Sequence, residues 1–235
     1  MLEEIIRSQE LGPVSPTNFI RHAIYNAVLQ GVPADTIVLL LLLPVVAAVI
    51  AGTRHLIGIR GLGIYLPATL SIVFLAVGPF MGIAIFILII TLSTTTRFVL
   101  KKLKSRLQYL PRMALILWVV VLGVFGVLVV MPVFGVSQFT HTSIFAVLFL
   151  ILLSEEITRV QLGKSSRVAV DLGVETLILA FISYVILSLK SVQNFALRSP
   201  EFLLGITALF DFLIGKYVGL RLREIWRFRK LINGK

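Results

Sequence analysis

Two stretches of this chain run without a formal charge for longer than one helix can use: Gly61–Thr96, 36 residues, and Met113–Ser154, 42 residues. A helix crosses the ~30 Å hydrocarbon core of a bilayer in about 20 residues. Each stretch therefore has room for two spans and a turn between them. Gly78-Pro79 falls near the middle of the first, where a turn is wanted. Residues 132–142, with Gly135, Gln138, Thr140, His141 and Thr142, interrupt the second. The other apolar runs are Thr36–Thr53, which holds five consecutive leucines and Pro44, then Val168–Leu189 and Phe202–Leu220. The pattern predicts an all-α integral membrane protein, a bundle of about seven transmembrane helices. Their expected bounds are Thr36–Thr53, Ile64–Val77, Phe80–Thr96, Met113–Met131, Ser143–Thr158, Val168–Leu189 and Phe202–Leu220. The second and third are short, and a re-entrant hairpin over Ile64–Thr96 competes with two spans.

Composition agrees. Hydrophobic residues make up 58% of the chain and charged residues 14%, against roughly 45–50% and ~25% in soluble domains. The excess apolar surface must face lipid. Cysteine is absent, which excludes a disulfide framework and thiol chemistry. The net charge of +11 would suggest nucleic acid in a soluble protein; on a chain this apolar it reads as topogenic, with Lys and Arg held against anionic lipid at the cytosolic face. Seven spans place 18 of the 22 Lys and Arg residues on the side of the C-terminus. The positive-inside rule then sets N-out and C-in. Residues 1–35 form an extracytoplasmic segment, 36–220 the seven-helix domain and 221–235 a basic cytosolic tail. The opening Leu2-Glu3-Glu4-Ile5-Ile6-Arg7 is not a cleavable signal peptide. The first span is thus expected to act as an uncleaved anchor, or the chain to be the end piece of a longer protein. No internal repeat of the kind found in transporters is visible.

Three stretches carry a resemblance. The first is Arg54-His55-Leu56-Ile57-Gly58-Ile59-Arg60-Gly61-Leu62-Gly63-Ile64-Tyr65-Leu66-Pro67. The second runs from Glu155-Glu156 to Arg167 into an apolar helix. The third is Pro200-Glu201-Phe202-Leu203-Leu204 followed by Gly215-Lys216-Tyr217-Val218-Gly219-Leu220-Arg221-Leu222-Arg223-Glu224 and Arg227-Phe228-Arg229. Together, over about residues 30–230, they resemble the bacterial seven-transmembrane domain usually fused to an inactive transglutaminase-like domain. The resemblance implies an extracytoplasmic transglutaminase-like module and cytosolic ATP-grasp peptide ligases as partners. It names a context and no reaction. Such a module would precede residue 36, and the present sequence departs from the pattern there.

Ionisable residues within spans are costly and are candidate sites by default. Asp211 is central to the expected seventh span and shares an i, i+4, i+8 face with Gly215 and Gly219. Gly-x-x-x-Gly allows close helix approach, so Asp211 is expected between helices, as an ion or proton site or as a packing hydrogen bond. Lys216 lies off that face and is expected to snorkel to the surface. Glu155, Glu156, Asp171 and Glu175 gather around one inner loop, and Arg159, at i+4 and i+3 from the first two, is expected to pair with at least one of the four. That group reads as an interfacial anchor, a charge latch or a cation site of hard oxygen ligands. Arg54, His55 and Arg60 read as a topogenic anchor or as a site for lipid phosphate or a nucleotide. The basic loop Arg97–Arg112 reads as an anionic-lipid anchor or a dock for a cytosolic partner. No Gly-x-Ser-x-Gly, His-Glu-x-x-His or phosphate-loop motif occurs, so no catalytic residue, metal or cofactor is expected. The sequence reads as a non-enzymatic membrane sensor or scaffold. A small transporter or channel using the intramembrane carboxylates is the rival.

Overall fold

The computed structural model describes residues 6, 15, 18–103, 107–130, 144–163, 166–219 and 221–227. Every regular element among them is helical: α1 (Phe19–Leu29), α2 (Ala34–Gly52), α3 (Tyr65–Val77), α4 (Pro79–Lys102), α5 (Tyr109–Val130), α6 (Ile144–Gly163), α7 (Ser166–Ser188), α8 (Lys190–Arg198), α9 (Pro200–Gly215) and α10 (Leu222–Arg227). A π-helical turn, Thr53–Ile57, extends α2. Four of these helical runs are long and apolar enough to cross a membrane: Ala34–Ile57, Pro79–Lys102, Tyr109–Val130 and Val170–Ser188. The 13 residues of α3 are apolar but rise only about 20 Å at 1.5 Å each. α9 has 16 residues, and the second half of α6 carries Glu155, Glu156 and Arg159.

The turn expected at Gly78-Pro79 is an elbow between two separate helices. Gly78 takes φ 91° and Pro79 opens α4, where its missing N–H costs nothing. Pro44 sits inside a continuous α2. The expected turn over residues 132–142 lies outside the described residues, as do Lys104, Arg106 and Lys164 of the expected basic loops. The basic stretch Arg97–Arg112 extends the helices on either side, since α4 runs to Lys102 and α5 begins at Tyr109.

The chain divides into two compact units, Met1–Ala68 with Ile182–Lys235, and Thr69–Phe181. In the first, α2 and α9 form the main pair. Gly52 lies where the Phe210 ring and Ile214 Cδ1 would meet a side chain, 3.2 and 3.3 Å from a Cβ. α1 is tied to the head of α9 by the Glu201 carboxylate, which accepts from the Arg21 backbone N–H at 2.8 Å. α8 is short and amphipathic. It buries Ala196 and Leu197, sets Phe195 edge-on to Phe202 at 6.2 Å, and its Gln193 amide donates to the Leu187 carbonyl at the end of α7.

In the second unit α4 packs on both α5 and α6. Phe74, Phe86, Ile89, Ile116, Val120 and Leu150 are fully buried. Ser93 Oγ on α4 and Thr158 Oγ1 on α6, both wholly buried, share a hydrogen bond of 2.5 Å. Along α5 only the stripe Ile116, Val120 and Val124 is buried. Leu115, Trp118, Val121, Leu122 and Phe125 stand exposed on the rest of the helix. A helix apolar all round that buries one narrow stripe presents the remainder to lipid. Four helix hydroxyls, those of Thr91, Thr96, Thr176 and Thr207, donate to the carbonyl four residues back, a common accommodation for Ser and Thr in helices.

Candidate functional site

The expected glycine face of the seventh span is corrected. α9 ends at Gly215, where the backbone tightens through Lys216 N–H to the Leu213 carbonyl and Tyr217 N–H to the Ile214 carbonyl. Gly219 is therefore outside the helix, and the i, i+4, i+8 spacing describes no common face. Asp211 is exposed and near the end of the helix. A Cβ on Gly215 would meet nothing within 4 Å. The buried side of α9 carries Leu203, Thr207 and Ile214 instead. Lys216 turns back over the Phe212 ring, with Nζ 4.3 Å from its centroid, a cation–π contact.

Around the acidic cluster the expected pair forms. Arg159 contacts Glu155 at 3.2 Å and Glu156 at 3.1 Å, one helical turn back on α6. Its side-chain hydrogen bond with Tyr109, then the charge of Glu156, raises the affinity of the guanidinium for its proton, with a smaller share from Glu155. Asp171 is exposed and Glu175 half-buried on α7; neither is an ion-pair partner of Arg159 among the described residues. No three of His, Asp and Glu among the described residues come together as a metal site. The pairs are exposed and lie within one helix, where ion pairs contribute little. Arg159→Ala should leave the thermal midpoint of the purified protein close to wild type. A drop as large as that of a core substitution would show that the contacts of Arg159 hold this end together.

Arg54, His55 and Arg60 come together. The helical ladder of α2 widens into the π-turn at Thr53–Ile57, which ends on Gly58 with φ 93°. π-turns recur at functional sites. The widening sets Arg54 and His55 on the wall of an open cavity of about 300 Å³, which Ile59, Arg60, Ile64 and Arg221 complete. Arg54 is half-buried; His55, Arg60 and Arg221 are exposed. Arg221 reaches this wall because Gly58 has no side chain: a Cβ there would lie 3.3 Å from Arg221 Cδ and 3.5 Å from Arg223 Cβ. Glu224, the acid next along the chain, accepts from the Arg221 backbone N–H at 3.2 Å. Sequence reading did not place Arg221 in a site. Its proximity to Arg54 in the fold crosses more than half the chain, which no local spacing records.

Helices that expose apolar faces and polar side chains at helix ends define a polytopic α-helical membrane domain. The sequence matches the family described as 7 transmembrane helices usually fused to an inactive transglutaminase, over residues 6–232. The chain belongs to that family, as the Arg54-His55-x-x-Gly58 and Gly215-Lys216-Tyr217-x-Gly219-x-Arg221-Leu222 stretches suggested. Comparison with curated proteins and with solved structures finds no match.

Proposed function

We propose that this domain is a non-enzymatic sensor or scaffold of the cell (inner) membrane. It crosses the membrane seven times, N-out and C-in, and joins an extracytoplasmic transglutaminase-like module or ligand to cytosolic partners, ATP-grasp peptide ligases among them. The observation that carries this reading is the family's usual companion, an inactive transglutaminase. A membrane part habitually joined to a module without catalysis is suited to binding and positioning. Asp211 is exposed near the end of α9. A transport pathway would use the carboxylates as a continuous polar lining; Glu155 and Glu156 are instead occupied by Arg159. The basic residues Lys101 and Lys102 at the end of α4 are exposed and serve as the dock for the cytosolic partner.

Two measurements test this together. Alkaline phosphatase joined after Lys235 should be inactive and after residue 137 active, with a fluorescent-protein reporter giving the opposite pattern. A photo-crosslinking residue at position 101 or 102 should capture a cytosolic protein in cells. Reversed reporters reject the topology. Solute or ion flux in proteoliposomes that Asp211→Asn abolishes rejects the scaffold in favour of transport.

A further inference from the structure

We infer that the cavity at the end of α2 is a binding site for a phosphate-bearing anion, with Arg54 and Arg221 as its principal ligands. The cavity walls combine three arginines and a histidine with Ile59 and Ile64, and among the described residues no carboxylate lines it. Guanidinium groups stay protonated at any physiological pH and match phosphate oxygens with two parallel N–H donors. Arg54 and Arg221 bring two guanidinium groups to one opening, a positive potential that an anion relieves.

Two features show that the arginines are held there by the fold. Arg54 is delivered by a π-turn at the C-terminal end of α2, where the helix dipole favours cations. Arg221 is delivered by a segment that packs onto the same turn, across a glycine whose positive φ and missing Cβ make the contact possible. Residues 51–64 and Arg221, far apart in sequence, thus meet at one wall.

The surroundings narrow the class of ligand. The volume lies at the small end of ligand pockets, which run roughly 300–1,000 Å³, so it suits a phosphate ester with a short polar attachment. The cavity also adjoins the end of a helix long and apolar enough to cross a membrane. Ile59 and Ile64 would then lie beside the glycerol and acyl carbons of a lipid while the arginines hold its phosphate. A soluble phosphate ester presents the same headgroup chemistry, and the experiment separates the two sources.

The full chain, reconstituted in phosphatidylcholine nanodiscs with and without phosphatidic acid, is released in the mass spectrometer and its retained lipid counted. In parallel, thermal midpoints in detergent are read against inorganic phosphate and glycerol 3-phosphate. Wild type should retain phosphatidic acid or be stabilised by the soluble anions; neither effect overturns the site. Arg54→Ala and Arg221→Ala should each weaken binding about ten- to a hundredfold, the loss expected for a charge-assisted contact. Arg54→Lys should recover part of it, because charge is kept and the two-pronged geometry lost. Lys101→Ala with Lys102→Ala removes more charge elsewhere and should change binding less than threefold. Equal loss in that control means general attraction to basic protein and overturns the site. Retention of lipid without an effect of soluble phosphate identifies a headgroup as the source; the reverse identifies a soluble ester, and both support the cavity. Ligand stabilisation of the unmodified protein needs no variant, so the site stays testable if an arginine substitution fails to fold.

Discussion

Gly82→Leu should cost about 2–3 kcal/mol of stability, the upper part of the range for forcing extra carbons into a packed interior. α3 and α4 meet at the Gly78 elbow, which brings Phe74 and Gly82 together in the same compact unit. A Cβ on residue 82 would overlap the Phe74 ring. That ring is wholly buried, so moving it aside disturbs a packed interior. In lipid this matters more than in water. Acyl chains are as apolar as the side chains they replace, and helix association rests on close packing. Phe74→Ala empties the same place and should also destabilise. Combining the two should recover at least about 1 kcal/mol of the summed losses, the coupling expected of residues in direct contact. Thermal midpoints of the four proteins in one detergent decide it. A Gly82→Leu protein that melts with wild type, or a double variant that simply adds the two losses, removes the contact from the account of how this unit is held together.

The apolar helices were legible because charge is excluded from them, and the break at Gly78-Pro79 was legible because both residues punctuate helices. Hydropathy could not show where the last long helix stops. Tyr217-Val218-Gly219-Leu220 continues the apolar run, yet the backbone leaves the helix after Gly215. That is a hydrogen-bonding event, and Asp211 moved with it from an expected interior to an exposed position. α1, α8 and α10 went unread for a different reason. They are 11, 9 and 6 residues long, below the length at which helices stand alone in water, and exist through packing on neighbours. Glu201 illustrates this: its bond to Arg21 N–H closes a contact across most of the chain. At the candidate site Arg54, His55 and Arg60 were readable as local charge. Arg221 was not, since only the fold brings it to Gly58.

Gly52 and Gly215 make the sharpest test of which glycines hold helices together. Sequence spacing favours Gly215, because it stands four residues from another glycine. The structure favours Gly52, at the end of α2, where the Phe210 ring edge and Ile214 Cδ1 on α9 would stand 3.2–3.3 Å from a new Cβ. Gly52 is buried, and α2 with α9 is the main helix pair of its unit. An alanine there asks two side-chain tips to move by a few tenths of an ångström; a leucine adds three more carbons that have nowhere to go. Gly52→Leu should therefore lose about 2–3 kcal/mol. Gly215→Leu meets open space and should stay within about 0.5 kcal/mol of wild type, as surface changes do. Its helix propensity gain is small, because residue 215 closes the helix. Both proteins keep the same charge and add the same side chain, so composition, net charge and hydropathy are matched, and only the neighbourhood differs. If Gly215→Leu melts as low as Gly52→Leu, the second glycine packs against a partner and the exposed end of α9 is an interface. If both melt with wild type, α2 and α9 do not approach as closely as described, and the delivery of Arg54 beside Arg221, which depends on that end of α2 being fixed, loses its structural support.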